Sequence, residues 1–246
     1  MSQITSFSRV DTWKSCPRKY KYRYIDRIPT EPDYSATNPL ILGSTLDKAS
    51  QFGYEEAEKY YLSQYHAITD EGITELMKIE YWTPQIQQLF AGGEFQKKIA
   101  SDRFIGYADA IVGNTLYDLK YSNNVEKYAK SPQLHIYASE LEKKPDYMAY
   151  VCVPKTFIRQ KQNEDIIQYR RRVMETLREM DIQRIWVCYD QDVVDQFWQD
   201  ASDMWKDKEY VRCTGEACKY CEYKQLCAMD DDIPRRKIKP RSELKL

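Results

Sequence analysis

No apolar run in this sequence approaches the roughly 20 residues that a helix needs to cross a membrane. The opening stretch, MSQITSFSRVDTWK, meets polar and charged residues where a secretory signal would be greasy. Both absences predict a cytoplasmic chain with no membrane partner. One-sided charge is missing too: 37 Lys and Arg stand against 38 Asp and Glu, a formal net charge of -1. A polyanion therefore has to be held by local basic clusters, because there is no global field to gather it. Three clusters qualify, KSCPRKYKYR at 14–23, Arg170 to Arg172, and RRKIK at 235–239, and each can equally be a solvated face. Neither an internal repeat nor a low-complexity linker divides the chain.

The 246 residues are 42% hydrophobic, enough to build the core of one large domain. Phe7, Val10 and Trp13 recur at helical spacing within Ser6 to Tyr24, where Pro17 is expected to break the helix in two. A polar loop is expected at 30–39, a long helix from Pro39 to Tyr65, and shorter ones at Ile73 to Trp82 and Pro84 to Phe90. From Glu94 the period changes to that of strands, in EFQKKIAS, RFIGYADAIV and TLYDLKYS. Helices at 132–142, 164–180 and 191–206 then alternate with the strands YMAYVCVP and IQRIWVCY. The pattern predicts one α/β domain: residues 1–93 mainly helical, 94–206 an α/β core, and 207–246 a cysteine-rich tail.

Within the core, GYADAIVGNTLYDLK places Asp109 and Asp118 on either side of Gly113-Asn114. A type I′ or II′ turn at that dipeptide pairs Val112 with Thr115, Ile111 with Leu116, Ala110 with Tyr117 and Asp109 with Asp118. Two carboxylates directly opposed across strands repel, so something must compensate. A divalent cation with hard oxygen ligands is one answer. Lys120 lies on the same face as Asp118, where it can hold a phosphate oxygen, orient a water or stabilise charge on phosphorus oxygens. A polar strand face that meets solvent, with Lys120 neutralising the acids, is the other answer.

These pieces resemble the PD-(D/E)XK nuclease superfamily, and specifically its RecB-like, iron-sulfur-bearing branch, which includes CRISPR-associated RecB-type exonucleases and the AddB nuclease domain. GYAD ending in Asp109 looks like the first acidic motif, Asp118-Leu119-Lys120 like the (D/E)xK motif, and Gln133-Leu-His-Ile-Tyr137 like the QxxxY motif. The resemblance implies a restriction-endonuclease-like fold, a mixed central sheet flanked by helices. It implies catalytic roles for Asp109, Asp118, Lys120, Gln133 and Tyr137, with Mg2+ or Mn2+ held by Asp109, Asp118 and the carbonyl of Leu119. It also implies DNA contacts from Gln133 and Tyr137, which share a helical face at i, i+4 spacing. One departure stands out: where the family has GxxxH, this sequence has Gly43-Ser-Thr-Leu-Asp47. Asp47 is a suitable ligand for a hard cation, or an ordinary surface residue. His66 is expected at a helix end on the surface, and His135 near DNA.

Seven cysteines in an apparently cytosolic chain point to metal more than to disulfides. Cys152 and Cys188, in short apolar runs, are expected to be buried structural thiols. Cys218-x2-Cys221-x5-Cys227, with distant Cys16, resembles the four thiolates that hold a [4Fe-4S] cluster in this branch. Thiolates also bind zinc, and Cys213 competes for the fourth place. Such a clip would bring the basic segment with Arg18, Lys19, Lys21 and Arg23 beside the tail, where it could guide a DNA single strand. The function expected is a metal-dependent DNA exonuclease on single-stranded or end-opened DNA in a bacterial, archaeal or phage-infected cytosol. Recombination or CRISPR-adaptation proteins would be its partners. A DNA-end-binding or adaptor module with weak or no cutting, and a nuclease of RNA or of specific sequences, are the alternatives.

Overall fold

Residues 4–229 are described in this computed structural model; the basic run at 235–239 lies outside them. The chain forms two units, one of Asp33–Ile99 and Gly106–Asp190, the other of Met1–Pro32, Ala100–Ile105 and Gln191–Leu246.

In the first unit, helices α3 (Pro39–Phe52), α4 (Tyr54–Ser63) and α5 (Asp70–Leu89) precede strands β1 (Glu94–Ala100), β2 (Ile105–Val112) and β3 (Thr115–Tyr121). Helices α6 (Val125–Ala129) and α7 (Gln133–Glu140) lead to β4 (Tyr147–Val153), and α8 (Ile166–Arg178) leads to β5 (Gln183–Val187). The five strands lie in the order β1-β2-β3-β4-β5; β2 and β3 are antiparallel, β3 and β4 parallel, β4 and β5 antiparallel. Parallel pairing of β3 with β4 requires a long crossover, and α6 and α7 lie within it. Ala110, Tyr117, Ala149, Val151 and Val153 alternate along the strands into one core with Leu46 and Ala49 of α3, Tyr61 of α4, Ile79, Trp82 and Ile86 of α5, and Val173 and Leu177 of α8. Each fully buried large apolar side chain of this kind contributes about 1.5–3 kcal/mol by its removal from water. Leu116, Asp118 and Lys120 alternate to the other face.

The structure redraws two helices. The single helix expected from Pro39 to Tyr65 is divided at Gly53, whose φ of 92° is open to glycine and strained for other residues. Conversely, α5 runs straight through Pro84, where two helices were expected. Proline removes one backbone bond, but Leu76, Ile79, Trp82, Thr83 and Ile86 are all buried, so one continuous packed stripe holds the helix through that gap. Cys152 is buried as expected; Cys188 is exposed, because it follows edge strand β5, in which no residue is fully buried.

In the second unit, α1 (Phe7–Ser15) stops at Cys16, which is extended at φ −167° and ψ 109° ahead of Pro17, and α2 (Pro17–Tyr20) continues into a π-turn at Lys21–Ile25. Helix α9 (Gln191–Lys206) packs on α1, with Trp13 Nε1 donating to Asp207 at 2.8 Å. The tail, with a 3-10 turn at Glu216–Tyr220 and α10 (Lys224–Met229), folds back onto the segment after Cys16. Arg18 Nε donates to the Tyr210 carbonyl at 3.0 Å, Tyr20 stacks on Tyr210, and Tyr223, tilted against Tyr22, donates its hydroxyl to the Ile28 carbonyl at 3.1 Å.

Candidate active site

The hairpin sets the site. Gly113 takes a φ of 59° while Asn114 keeps a negative φ, the type II′ pattern that glycine at the first central position permits. The pairs Val112↔Thr115, Ile111↔Leu116 and Ala110↔Tyr117 follow in the expected register. Beyond them the Asp109 side chain enters the ladder, accepting the Leu119 amide hydrogen on Oδ2 at 2.8 Å.

Asp118, 1% exposed, stands at the centre of a short network. Its Oδ2 faces the Lys120 ammonium at 2.6 Å, and its Oδ1 accepts from Gln133 Nε2 at 2.7 Å. The Gln133 amide is read from both ends: its Oε1 accepts from Lys120 at 3.3 Å while its Nε2 also approaches the Tyr137 hydroxyl at 3.2 Å. Gln133 and Tyr137 lie one turn apart on α7, which is anchored by the Leu134 amide donating to the Tyr150 hydroxyl at 3.3 Å. His135 sits on the same helix but is buried at 6% exposure, where Nδ1 accepts the Asp190 amide hydrogen at 3.1 Å. That bond ties α7 to the segment that follows β5. His66 is exposed just past α4.

Asp47 of α3 joins the site through a residue that the sequence did not single out. Gln96 Nε2 lies 3.1 and 3.0 Å from the two Asp47 carboxylate oxygens and 3.4 Å from Asp109 Oδ1. Gln96 lies within β1 at a φ of 47°, a left-handed conformation uncommon for a residue with a side chain. Three aspartates, one lysine and two glutamines thus converge from α3, β1, β2, β3 and α7.

Charge and burial oppose each other here. Burial raises the Asp109 carboxyl, the charge of Asp118 raises it further, and its pKa is pushed up to about 8. Asp118 is raised by burial against the pull of Lys120, and Asp47 by burial against the hydrogen bonds of its amide neighbours. Burial alone would depress Lys120, but Asp118 and Asp109 outweigh it and hold the ammonium above its ordinary value. Lys120 therefore enters neutral pH as a donor of hydrogen bonds and positive charge. Among the described residues no three His, Cys, Asp or Glu side chains already stand as the shell of a single ion. The donor set is nevertheless all oxygen, and its carboxylates are engaged by amides and an ammonium that a hard cation would replace or supplement.

The cysteines form a second locality. Cys16, Cys213, Cys218, Cys221 and Cys227 all line one cavity of about 310 Å3 together with Arg18, Lys19 and Tyr22. The basic residues of that segment are largely spoken for: Lys19 pairs with Glu222 at 2.8 Å and Lys21 with Asp26 at 2.5 Å, while Arg18 is held by the tail backbone. Arg170 and Arg172 are likewise paired, with Asp70 at 2.9 Å and Glu164 at 2.6 Å.

Comparison with known proteins gives one sequence-level match: the model of the PD-(D/E)XK nuclease superfamily covers residues 4–228. No curated protein matches. Among solved structures, the chain is similar to SSO0001, with 12% identity over 92% of this chain and 87% of that one at a TM-score of 0.44. It is also similar to a phage-related exonuclease from Haemophilus somnus 129PT, with 13% identity over 94% of this chain and 97% of that one at a TM-score of 0.42.

Proposed function

The chain belongs to the PD-(D/E)XK nuclease superfamily, and on that footing we propose that it is a Mg2+- or Mn2+-dependent deoxyribonuclease, an exonuclease of single-stranded or end-opened DNA in recombination, repair, or CRISPR or viral DNA processing. The observation that carries the reading is the closed network in which Gln133 serves Asp118 and Lys120 with opposite ends of one amide. Such a network fixes a carboxylate and an ammonium side by side before substrate arrives, which is the preorganisation that phosphoryl chemistry exploits.

Asp47, Asp109, Asp118 and the Leu119 carbonyl would hold the divalent ion, which when bound supplies Lewis acidity and neutralises charge growing on the phosphate. Lys120, protonated beside two carboxylates, donates to a phosphate oxygen and does not take the proton of the attacking water. Gln133 keeps Lys120 and Asp118 in register, and Tyr137 steadies Gln133. We further propose that Cys16, Cys218, Cys221 and Cys227 hold a [4Fe-4S] cluster as a structural clip. In support, these thiols line one cavity although about 200 residues of chain separate Cys16 from the others.

The test is direct: the full chain with Mg2+ or Mn2+ degrades end-labelled DNA, chelation stops it, and Asp118→Ala or Lys120→Ala lowers the rate about 10³-fold. Cleavage that survives both substitutions sinks the site assignment. DNA binding without turnover in any metal would instead establish the adaptor reading, which the aspartate in place of histidine at position 47 favours. Protein prepared without oxygen should carry iron and sulfide; stoichiometric zinc in their place overturns the cluster.

A further inference from the structure

While Lys19 and Lys21 have close carboxylate partners, two arginines nearby have none among the described residues and a third has only a distant one. Arg9 of α1, Arg23 of the π-turn and Arg27 line an open cavity of about 560 Å3 with Tyr24, Pro29 and Tyr223 among its walls. Arg9 and Arg23 both sit over the Tyr24 ring, with guanidinium carbons 5.3 and 5.6 Å from its centroid. Stacking of this kind holds a guanidinium in place without consuming its charge. Arg27 is presented by the backbone, in a left-handed conformation at φ 51° between the Asp26 and Ile28 amides, which are bonded back to the Lys21 and Tyr22 carbonyls at 2.9 Å.

Counter-charge is scarce. Arg23 has one long ion pair, 3.8 Å to Glu222 Oε1, whose other oxygen pairs with Lys19 at 2.8 Å. Among the described residues neither Arg9 nor Arg27 has an ion pair; Arg9 donates only a long bond of 3.4 Å to the Ile4 carbonyl. Three exposed guanidinium forks around a cavity of ligand size are suited to phosphate oxygens, which they can meet two at a time. Pro29, exposed in the cavity wall, offers apolar surface beside the charges, which a base can cover and a bare anion cannot.

We propose that this cavity binds the phosphodiester backbone of a single-stranded nucleic acid, with Arg9, Arg23 and Arg27 as the phosphate contacts. The choice of ligand rests on the nuclease reading above; the contact itself is measurable without cleavage. Fluorescein-labelled oligo(dT) is titrated with the full chain in chelator, by anisotropy, across a series of salt concentrations. The Arg9→Gln/Arg27→Gln double variant should weaken binding about tenfold or more and flatten the salt slope by about 1.4, since each single-strand phosphate contributes about 0.7. Arg171→Gln, an exposed arginine of α8, should leave both quantities near wild type.

Unchanged affinity and slope in the double variant, or an equal loss in Arg171→Gln, overturns the proposal. So does full displacement of the oligonucleotide by inorganic phosphate or thymidine monophosphate at concentrations that leave ionic strength unchanged, which marks a site for free anions. If the double variant fails to fold by circular dichroism, the two single variants carry the same comparison, with half the slope change each. Metal-dependent hydrolysis of bis(p-nitrophenyl) phosphate separates the two readings. Arginine-dependent binding with no hydrolysis in wild type sinks the nuclease alone, whereas hydrolysis with arginine-independent binding sinks this cavity alone.

Discussion

At the hairpin, charge is taken out of water and made to pay in pKa: Asp118 is 1% exposed, Asp109 is pushed up to about 8, and each carboxylate oxygen has an assigned donor or cation. Around Tyr24, charge is left in water. Arg9, Arg23 and Arg27 are exposed and rest on a ring or on backbone geometry, and among the described residues only Arg23 has a carboxylate in reach, Glu222 at 3.8 Å. Desolvated charge is costly to assemble but acts strongly on whatever enters, whereas solvated charge is cheap, screened by salt and suited to holding a long polyanion loosely. A chain of net charge -1 can combine both only by keeping them local.

The largest consequence of that contrast is a stability that depends on pH at one site and not at the other. Because the folded-state pKa of Asp109 is raised above its unfolded value of about 4, protonation favours the native state. Its contribution is fullest below about pH 4 and is lost as pH rises towards about 8, by several kcal/mol in order of magnitude. Urea unfolding of metal-free protein from pH 5.5 to 8.5 should show wild type losing stability while Asp109→Asn stays flatter and ends more stable. The Asn side chain can still accept the Leu119 amide, so charge alone is removed. Parallel curves would mean that the carboxylate is not held in the buried state described.

A buried pair outside both regions sharpens the comparison. Lys78 and Glu75, one turn apart on α5, are 5% and 7% exposed and 2.6 Å apart, with opposite signs where the hairpin has like ones. Glu75→Ala strands an ammonium and should cost about 3–5 kcal/mol in unfolding free energy, with cleavage of DNA by the folded fraction unchanged. A loss under 1 kcal/mol would show that Lys78 escapes to water, and that burial at this depth does not isolate charge as it does at Asp118.

What could be read from the sequence follows the range of the interactions. Asp109, Asp118 and Lys120 are related by a two-residue turn and strand alternation, and Gln133 and Tyr137 by one helical turn, so local spacing brings them close to their observed arrangement. Arg9 and Arg27 are not visible that way. Their significance depends on which cations the tail neutralises, and the pairing of Lys19 with Glu222 spans about 200 residues. Lys19 and Lys21 look like the stronger candidates in KYKYR until those partners appear. Pro84 and Gly53 misled for a related reason: whether a helix survives a proline or ends at a glycine is decided by the core it packs on, not by the residue alone.

Gln96 was invisible for a different reason. Nothing in EFQKKIAS marks a glutamine that will take a φ of 47° and turn its amide between Asp47 and Asp109. Its role is positional: one NH2 group links carboxylates that would otherwise repel, and so holds α3 against the hairpin edge. On the metal assignment proposed above, removing it should act on the affinity for metal rather than on the chemical step, because neither carboxylate is lost. Gln96→Ala is therefore expected to weaken Mn2+ binding, followed by the free-ion paramagnetic signal, by about 10–100-fold, the usual cost of removing a support behind a metal ligand. The metal concentration for half-maximal DNA cleavage should rise in parallel while the rate at saturating metal returns towards wild type. A merely structural defect would lower the saturating rate and leave Mn2+ affinity alone, and that pattern would remove Gln96 from the site.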